Sequence, residues 1–476
     1  MHHKISTGIR GLDEILLGGF IPNRSYLLQG GPGSGKSTIA YHFLQQAASN
    51  GDKALFITLG EPAENVKENA KQVGIDLSEV EFLDLTPSAN LSEAAKSYNV
   101  FTSTEVEQQP IIEAITDAVE KHSPKRVVFD SITMLRFLNR DAFQYRNLGL
   151  SLVKYIAQQE ATMLIISESA EHVSDQDSVF WVDGVINVQY SPGWRKLEVS
   201  KYRGSDFMQG THAFKISGEG LEIYPRLQPN KYERHFEEEV LSSGIDEIDN
   251  LLYGGLEKGT TTLITGASGV GKTNLGIQFM KEAASRNERS AIYTFEESKE
   301  LIRRRSNAIN IPVDEMIREG NLKIVPVEPL SYSPDEFASM VRKDVEQNDT
   351  RMVMIDTMGG YGLAVRQEDT LERLHSLSVY LQNMGATTLL INESQDITGN
   401  LSTTSINASY LADNIIFLRY LEINGEMKKA IGVLKKRLSD FEKSIREFVI
   451  TSEGIKVGQP LTNLRGILSG VPEFIK

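Results

Sequence analysis

Short apolar runs rich in strand-forming residues alternate along this chain with longer stretches of helical character. Runs that are apolar on both faces are typical of strands buried between two helix layers, so the pattern predicts an α/β fold with a mainly parallel sheet. The runs lie at Tyr26–Leu28, Ala54–Ile57, Val127–Phe129 and Met163–Ile166 in the first half of the chain, and at Thr262–Ile264, Ala291–Tyr293, Met352–Ile355 and Thr388–Ile391 in the second half.

An internal repeat organises the chain. The segment Ser6–Ile9 returns as Ser242–Ile245, at an offset of 236 residues. Collinear matches across both halves indicate duplication of a whole domain, and they predict two domains at 1–228 and 229–476. The end of each copy has strand and hairpin patterns, as at Leu197–Ser200 and Glu447–Ile450. Further matched pairs are Lys36/Lys272 and Glu61/Glu297 at the same offset, Asp130/Asp356 at 226 and Lys201/Lys435 at 234.

The composition is that of a folded protein with limited chemical options. The 476 residues are 40% hydrophobic and 24% charged, and they include no cysteine, which excludes disulfides, thiolate metal sites and cysteine nucleophiles. The net charge is −14, and both halves are acidic, so neither half has the overall basic charge typical of a nucleic-acid-binding domain. Without an apolar signal core or a run of 18 apolar residues, we expect a cytoplasmic protein that does not enter a membrane.

Each copy contains one phosphate-binding loop. Gly30–Ser37 and Gly266–Thr273 both fit G-x-x-x-x-G-K-[ST], and each follows a strand run and opens a helical stretch, as this motif requires. Glycines allow backbone N–H groups to surround phosphate oxygens at the N-terminus of a helix, and the lysine reaches the terminal phosphates. The predicted nucleotide-binding residues are Gly31, Gly33, Ser34, Gly35, Lys36, Ser37 and Thr38 in copy one, and Ser268, Gly269, Val270, Gly271, Lys272, Thr273 and Asn274 in copy two.

A carboxylate at the end of a later strand completes each predicted site. Asp130 ends the run Val127–Phe129, and Asp356 ends the run Met352–Ile355. An acidic residue beside a phosphate loop holds Mg²⁺ directly or through water, together with the loop's Ser or Thr hydroxyl. We therefore predict ATP and Mg²⁺ as ligands, with the Ser37 and Thr273 hydroxyls as metal ligands.

The two copies differ at the predicted catalytic carboxylates. Copy two has Glu296 and Glu297 at a strand end, whereas copy one has Gly60 and Glu61 at the same offset. Hydrolysis or phosphotransfer needs a carboxylate that orients or deprotonates the nucleophile. All three glutamates are candidates, although paired glutamates at a strand end are also compatible with a solvated turn.

These motifs together resemble the KaiC family of tandem RecA-like ATPases. The resemblance spans nearly the whole chain and includes the S-[TS]-G-I opening, both phosphate loops and the Phe295–Ser298 segment. It implies two tandem RecA-like P-loop NTPase domains in a homohexameric double ring, with ATP between neighbouring subunits. It also implies that a K-x-R pair in each copy reaches the γ-phosphate of the adjacent subunit. These pairs are Lys201 with Arg203 and Lys435 with Arg437.

The resemblance also suggests autophosphorylation in copy two. The family transfers phosphate to a Ser-Thr pair just upstream of the strand that begins at Asp413, where this chain has Ser409 and Tyr410. Glu296 is the predicted base for that transfer. Only four residues follow Pro472, so the family's regulatory tail and its partner KaiA are not expected, whereas a KaiB-like partner remains open.

Three functions remain in view from the sequence. The first is an ATP-driven, self-phosphorylating ring that acts as a timing or signalling switch. The second is a RecA-class DNA-dependent ATPase or recombinase-like motor, for which Arg303–Arg305 is the best local basic strip. The third is a nucleotide-gated scaffold in which copy one holds ATP structurally, because Gly60 removes one carboxylate.

Overall fold

The structure is a computed structural model that divides into two compact units, Met1–Arg226 and Leu227–Lys476. This division falls two residues before the boundary expected from the repeat, since Leu227 packs in the core of the second unit. The described residues are 4–86, 104–137, 142–168, 177–191, 193–328, 330–365, 370–394, 408–468 and 473–474.

The first unit is built on one large mixed sheet. Its strands are β1 Ser25–Gly30, β2 Ala54–Thr58, β3 Glu81–Asp84, β4 Arg126–Asp130, β5 Thr162–Glu168, β6 Gly184–Ser191, β7 Trp194–Tyr202, β8 Thr211–Ser217 and β9 Gly220–Tyr224. Within the described residues these nine strands lie in the order β3-β2-β4-β5-β1-β6-β7-β8-β9, parallel as far as β6 and antiparallel beyond it. The predicted mainly parallel sheet with a β-rich C-terminal part is therefore confirmed.

Helices cover both faces of this sheet. Leu27 packs with Leu55 and Val127 in one hydrophobic cluster, whereas its neighbour Leu28 packs with Phe56 in another. Alternate side chains of a strand point to opposite faces, so two clusters on one set of strands require cover on both sides. The helices are α1 Arg10–Ile15, α2 Lys36–Ser49, α3 Ala63–Gln72, α4 Thr104–His122, α5 Ile132–Phe137, α6 Ala142–Gln158 and α7 Ser178–Trp181.

The second unit repeats this architecture. Its large sheet, among the residues that the structure describes, has the order β14-β13-β15-β16-β12-β17-β18-β19-β20. Its strands are β10 Val240–Leu241, β11 Leu256–Glu257, β12 Thr261–Gly266, β13 Arg289–Thr294, β14 Leu322–Pro326, β15 Thr350–Asp356, β16 Thr387–Glu393, β17 Asn414–Ile423, β18 Glu426–Lys436, β19 Arg446–Thr451, β20 Gly454–Pro460, β21 Leu464–Arg465 and β22 Glu473–Phe474. Its helices are α8 Asp246–Leu251, α9 Lys272–Ser285, α10 Lys299–Ala308, α11 Val313–Arg318, α12 Pro334–Gln347, α13 Met358–Val365 and α14 Thr370–Asn383, with 3-10 turns at Pro229–Lys231 and Ala408–Tyr410.

The strand order places the central strand of each sheet between two parallel neighbours. In the second unit, β12 pairs with β16 on one side and with β17 on the other, and Gly266 at its end lies opposite Glu393. The carboxyl ends of β12, β13, β15 and β16 therefore meet at one edge of the sheet. In α/β sheets this edge is where ligands bind.

Candidate nucleotide-binding sites

The phosphate loop of the second unit has the backbone that its sequence predicts. It leaves β12 at Gly266 and enters α9 at Lys272, with Gly269 at φ +73° and Gly271 at φ +117°. Both values lie in the left-handed region that glycine adopts without steric cost. A Cβ on Gly271 would also lie 2.6 Å from Cδ1 of Ile450, so that side chain would have to move.

The first unit has the same loop between β1 and α2. Gly33 has φ +69° and Gly35 has φ +105°, and α2 begins at Lys36. A Cβ on Gly33 would meet no heavy atom within 4 Å, so the loop backbone is open there. The free N–H groups at the start of a helix and its dipole make both loops suitable for binding an anion.

Both loop lysines are buried beneath the backbone of their loops. Lys272 Nζ donates to the Ala267 carbonyl at 2.8 Å, and Lys36 Nζ donates to the carbonyls of Gly30 and Gly31 at 2.8 and 2.9 Å. Each lysine is only 7% exposed, and burial lowers the pKa of both ammonium groups. A partly desolvated cation among open N–H donors matches the chemistry of a polyphosphate.

The predicted magnesium ligands come together in the second unit. Thr273 Oγ1 donates to Asp356 Oδ2 at 2.9 Å, although 83 residues separate them. Burial raises the pKa of Asp356 to about 6, and burial likewise raises that of Asp130 in the first unit, where a hydrogen bond from Ser37 opposes it. A hydroxyl and a carboxylate are hard oxygen donors of the kind that Mg²⁺ takes beside substrate phosphates, so the residues fit the metal.

The two glutamates of copy two have different partners. Glu296 Oε1 accepts a hydrogen bond from Thr357 Oγ1 at 2.5 Å, and Thr357 directly follows Asp356. Glu297 Oε1 instead lies 2.5 Å from Nη1 of Arg305 in an ion pair. Both carboxylates line the same cleft as Lys272. Glu296 is thus oriented by a neutral hydroxyl, whereas the charge of Glu297 is matched by a cation.

The first unit has a sparser version of this arrangement. Gly60 takes the place of Glu296, and Glu61 Oε1 accepts from Asn69 Nδ2 at 2.8 Å. Asn69 stands where copy two has Arg305, and Ser131 stands where it has Thr357. The first site therefore keeps one predicted catalytic carboxylate, held by a neutral amide.

The cleft includes residues that sequence reasoning missed. Thr357 and Arg305 line it, and so does Glu393 at the end of β16. Glu168 takes the same place in copy one, because it ends β5 opposite Gly30 as Glu393 ends β16 opposite Gly266. Asp130 and Asp356 were predicted because each is an acidic residue at the end of a buried strand. The same pattern could have identified Glu393 and Glu168. No local signal marks Thr357 or Arg305, because their partners lie on other elements.

The predicted K-x-R pairs lie at the opposite edge of each sheet. Lys435 pairs in register with Ile415 at the start of β17, and Asn414 pairs with Thr262 at the start of β12. The phosphate loop begins at Gly266, four residues further along β12 than Thr262, which is about 13 Å at about 3.3 Å per residue. The corresponding register in the first unit places Lys201 at the start of β6. Neither pair can reach the phosphate loop of its own unit.

The predicted phosphorylation site lies at this second edge as well. Lys435 Nζ donates to the carbonyl of Ser409 at 2.9 Å and to that of Ala412 at 2.6 Å. Arg437 forms an ion pair with Asp413 at 3.3 Å. Ser409 and Tyr410 are exposed in a 3-10 turn. The structure therefore groups Ser409 with the K-x-R pair and separates both from the loop of the same unit.

The arginine strip considered for DNA binding is engaged within its own unit. Arg303 forms ion pairs with Glu300 and Asp314, and Arg304 forms one with Glu300. Arg305 is turned into the nucleotide cleft. A DNA-binding strip needs cations that are free to face phosphates, so these contacts weigh against the motor hypothesis.

Two α/β units, each with a phosphate loop at the ligand-binding edge of its sheet, define a tandem P-loop nucleoside triphosphatase. A family model described as "ATPase: KaiC" matches residues 5–228 and 241–462. The chain therefore belongs to the KaiC family of ATPases, which confirms the resemblance seen in the sequence.

Curated relatives align over almost the whole chain. The circadian clock oscillator protein KaiC of Parasynechococcus marenigrum is 29% identical over 490 residues, covering 99% of this chain and 93% of the relative. The circadian clock protein KaiC3 of a Synechocystis strain is 28% identical over 486 residues, covering 99% and 95%. The circadian clock oscillator protein KaiC of Synechococcus elongatus is 29% identical, covering 99% and 92%. Across the described residues, no helix is both long and apolar enough to cross a membrane.

Proposed function

We propose that this chain forms a homohexameric double ring that hydrolyses ATP and transfers phosphate to Ser409 of its second unit. One observation carries the proposal. Ser409 and the pair Lys435/Arg437 lie at the sheet edge opposite the phosphate loop of their own unit. A ring of identical copies brings one edge of each subunit to the other edge of the next, so the loop of one subunit serves the serine of its neighbour.

The chemistry follows from the residues in the cleft. The Ser409 hydroxyl oxygen attacks the γ-phosphorus of ATP, an O–P bond forms, the bond to the ADP oxygen breaks, and ADP leaves. Glu296 accepts the hydroxyl proton, and Lys435 and Arg437 stabilise the charge on the transferred group. When water takes the place of the serine, the same step releases inorganic phosphate. Mg²⁺, held by Thr273 and Asp356, would neutralise part of the phosphate charge.

Mixed rings test the transfer between subunits. One chain carries Lys272→Ala with Ser409 intact, and the other carries Ser409→Ala with Lys272 intact. Neither chain alone incorporates γ-labelled phosphate at residue 409. After subunit exchange, the Lys272→Ala chain is expected to become labelled on Ser409. Absence of label in the mixture, when the unmodified protein is labelled, would contradict transfer between neighbours.

Two further variants test the residue assignments. Glu296→Gln is expected to abolish the label, because the amide cannot accept the proton. Tyr410→Phe is the matched control for the acceptor, since it removes the adjacent hydroxyl and leaves Ser409. Label that persists in Glu296→Gln, or that disappears in Tyr410→Phe with Ser409 intact, would contradict these roles.

The first unit has a different role in this proposal. Gly60 leaves Glu61 as its only carboxylate at the catalytic position, so this site holds ATP and turns it over slowly. ATP bound there supports assembly of the ring, which is the scaffold function suggested by the sequence. Lys36→Ala is expected to impair hexamer formation in the presence of ATP, whereas Lys272→Ala leaves it intact. Size-exclusion chromatography with light scattering distinguishes these outcomes.

The relatives named as circadian clock proteins support a timing or signalling role. In this chain, the property that changes slowly and reversibly to give such timing would be the phosphorylation state of Ser409. The cleft chemistry requires no partner protein, so purified protein with ATP and Mg²⁺ is expected to change its phosphorylation over time. A time course of phosphosite occupancy by mass spectrometry measures that change directly.

A further inference from the structure

Arg305 has hydrogen-bond donors in the second nucleotide cleft that nothing in the described structure satisfies. It lies on α10, and its side chain lines the cleft together with Lys272, Thr273 and Glu296. Nη1 is used by Glu297 at 2.5 Å. Nε and Nη2 are buried and have no hydrogen-bond partner among the described residues. Buried donors without a partner cost free energy, so an acceptor bound in the cleft would stabilise these two N–H groups.

The repeat shows that this cation is specific to the second site. The matching residue in copy one is Asn69, which donates to Glu61 at 2.8 Å. Copy two therefore replaces a neutral amide with a guanidinium at the same place on the same helix. It also adds Glu296 in place of Gly60. The first site has one cation, Lys36, and three carboxylates, so its formal charge is −2. The second site has two cations and four carboxylates, so its formal charge is also −2. The carboxylates are Glu61, Asp130 and Glu168 in the first site, and Glu296, Glu297, Asp356 and Glu393 in the second.

The position of Arg305 indicates which phosphate it can reach. The loop backbone and its lysine hold the β- and γ-phosphates, and the carboxylate that orients the nucleophile stands beyond the γ-phosphate. Arg305 is joined to Glu297, next to the predicted base Glu296. The Arg305 side chain therefore lies on the γ-phosphate side of the cleft. A guanidinium with adjacent free N–H groups is suited to two-point binding of phosphate oxygens.

We propose that Arg305 binds the γ-phosphate of the ATP held by its own subunit, through Nε and Nη2, while Nη1 keeps Glu297 in place. This rests on the proposed function only in requiring ATP at the second site. It adds a cation from the same chain to the Lys435/Arg437 pair supplied by the neighbour. It also gives the second site a means of distinguishing ATP from ADP that the first site lacks.

The test measures nucleotide binding to the full-length protein, and binding at the second site is taken as the part that Lys272→Ala removes. A fluorescent ADP derivative is displaced by ADP or by the non-hydrolysable ATP analogue adenylyl-imidodiphosphate. Arg305→Asn, which installs the residue of copy one, is expected to weaken the triphosphate about tenfold or more, the size of one hydrogen bond between charged groups. ADP affinity is expected to stay unchanged. An equal loss for both nucleotides, or no loss for either, overturns the proposal.

A second variant separates phosphate binding from the ion pair. Glu297→Gln removes the negative partner and leaves the guanidinium, so the preference for the triphosphate is expected to persist. If Glu297→Gln lowers that preference as much as Arg305→Asn does, the effect belongs to the ion pair and the proposal is wrong. If Lys272→Ala binds as much nucleotide as the unmodified protein, ATP binding at the second site fails, which is a different result from a failure of Arg305.

Discussion

Thr357 Oγ1 donates a hydrogen bond to Glu296 Oε1 at 2.5 Å, across 61 residues of sequence. The same hydroxyl accepts from the Gly360 N–H at 3.0 Å near the start of α13. Thr357 directly follows Asp356, the predicted magnesium ligand, so its hydrogen bond fixes the predicted base Glu296 beside that aspartate. This contact couples the two carboxylate positions that phosphoryl transfer needs.

Loss of the Thr357 hydroxyl is expected to lower the catalytic rate without weakening ATP binding. For the ATP turnover that Lys272→Ala removes, Thr357→Val should reduce kcat about tenfold or more with little change in KM, because the hydroxyl orients Glu296 and does not hold the nucleotide. Thr357→Ser, which matches Ser131 of copy one, should keep most of the rate. A rise in KM with kcat unchanged would contradict the positioning role.

A glutamate at position 60 is expected to raise the activity of the first site. A Cβ on Gly60 would meet no heavy atom within 4 Å, so a side chain fits there. With Lys272→Ala silencing the second site, Gly60→Glu should increase ATP turnover several-fold, because it restores the carboxylate present in copy two. Gly60→Gln has the same size without the charge and should not. Equal turnover in the two variants would show that the carboxylate is not what limits this site.

The buried pair Arg373 and Asp335 is expected to matter for stability of the second unit. Arg373 Nη1 lies 2.6 Å from Asp335 Oδ1, and the two residues are 8% and 5% exposed. Asp335→Ala leaves a buried cation uncompensated and should lower the free energy of unfolding by about 3–5 kcal/mol. Chemical denaturation measures this loss.

The control for that prediction is Glu315→Ala. Glu315 pairs with Arg318 at 3.3 Å one turn away, and both side chains are largely exposed. Exposed pairs contribute about 1 kcal/mol or less. Similar losses from the two substitutions would mean that burial does not set the value of these ion pairs.

The first unit is expected to lose stability as the pH falls below the ordinary pKa of His42. Burial lowers the pKa of His42 from 6.5, and its Nε2 accepts a hydrogen bond from the Leu221 N–H at 2.9 Å. Well above pH 6.5 the imidazole is neutral in both the folded and the unfolded state. As the pH falls further, the unfolded chain takes up a proton that the folded unit resists, so stability decreases until the pH reaches the lowered pKa.

His42→Gln is the matched variant for this pH dependence. Copy two has Gln278 at the same position, and glutamine does not titrate. Urea midpoints of the first unit at pH 7.5 and 5.5 should differ less in His42→Gln than in the unmodified protein. The same difference in both would assign the pH dependence to other groups.

Much of this protein follows from local sequence. The alternation of apolar runs predicted the mainly parallel sheets, and the 236-residue repeat predicted two related domains. The spacing of glycines with Lys36 and Lys272 predicted both phosphate loops, because a few backbone angles at fixed positions determine that loop. Asp130 and Asp356 were found in the same way, since the end of a buried strand is readable from its own residues.

Strand order and contacts between distant elements were settled only by the tertiary structure. Apolar periodicity reports which face of a strand is buried, but it does not report which strands are neighbours or at which edge a loop emerges. For that reason the sequence could not place Lys435 and Ser409 at the edge opposite the second phosphate loop. It likewise could not join Thr357 to Glu296 or direct Arg305 into the cleft, because each contact depends on how separate strands and helices pack together.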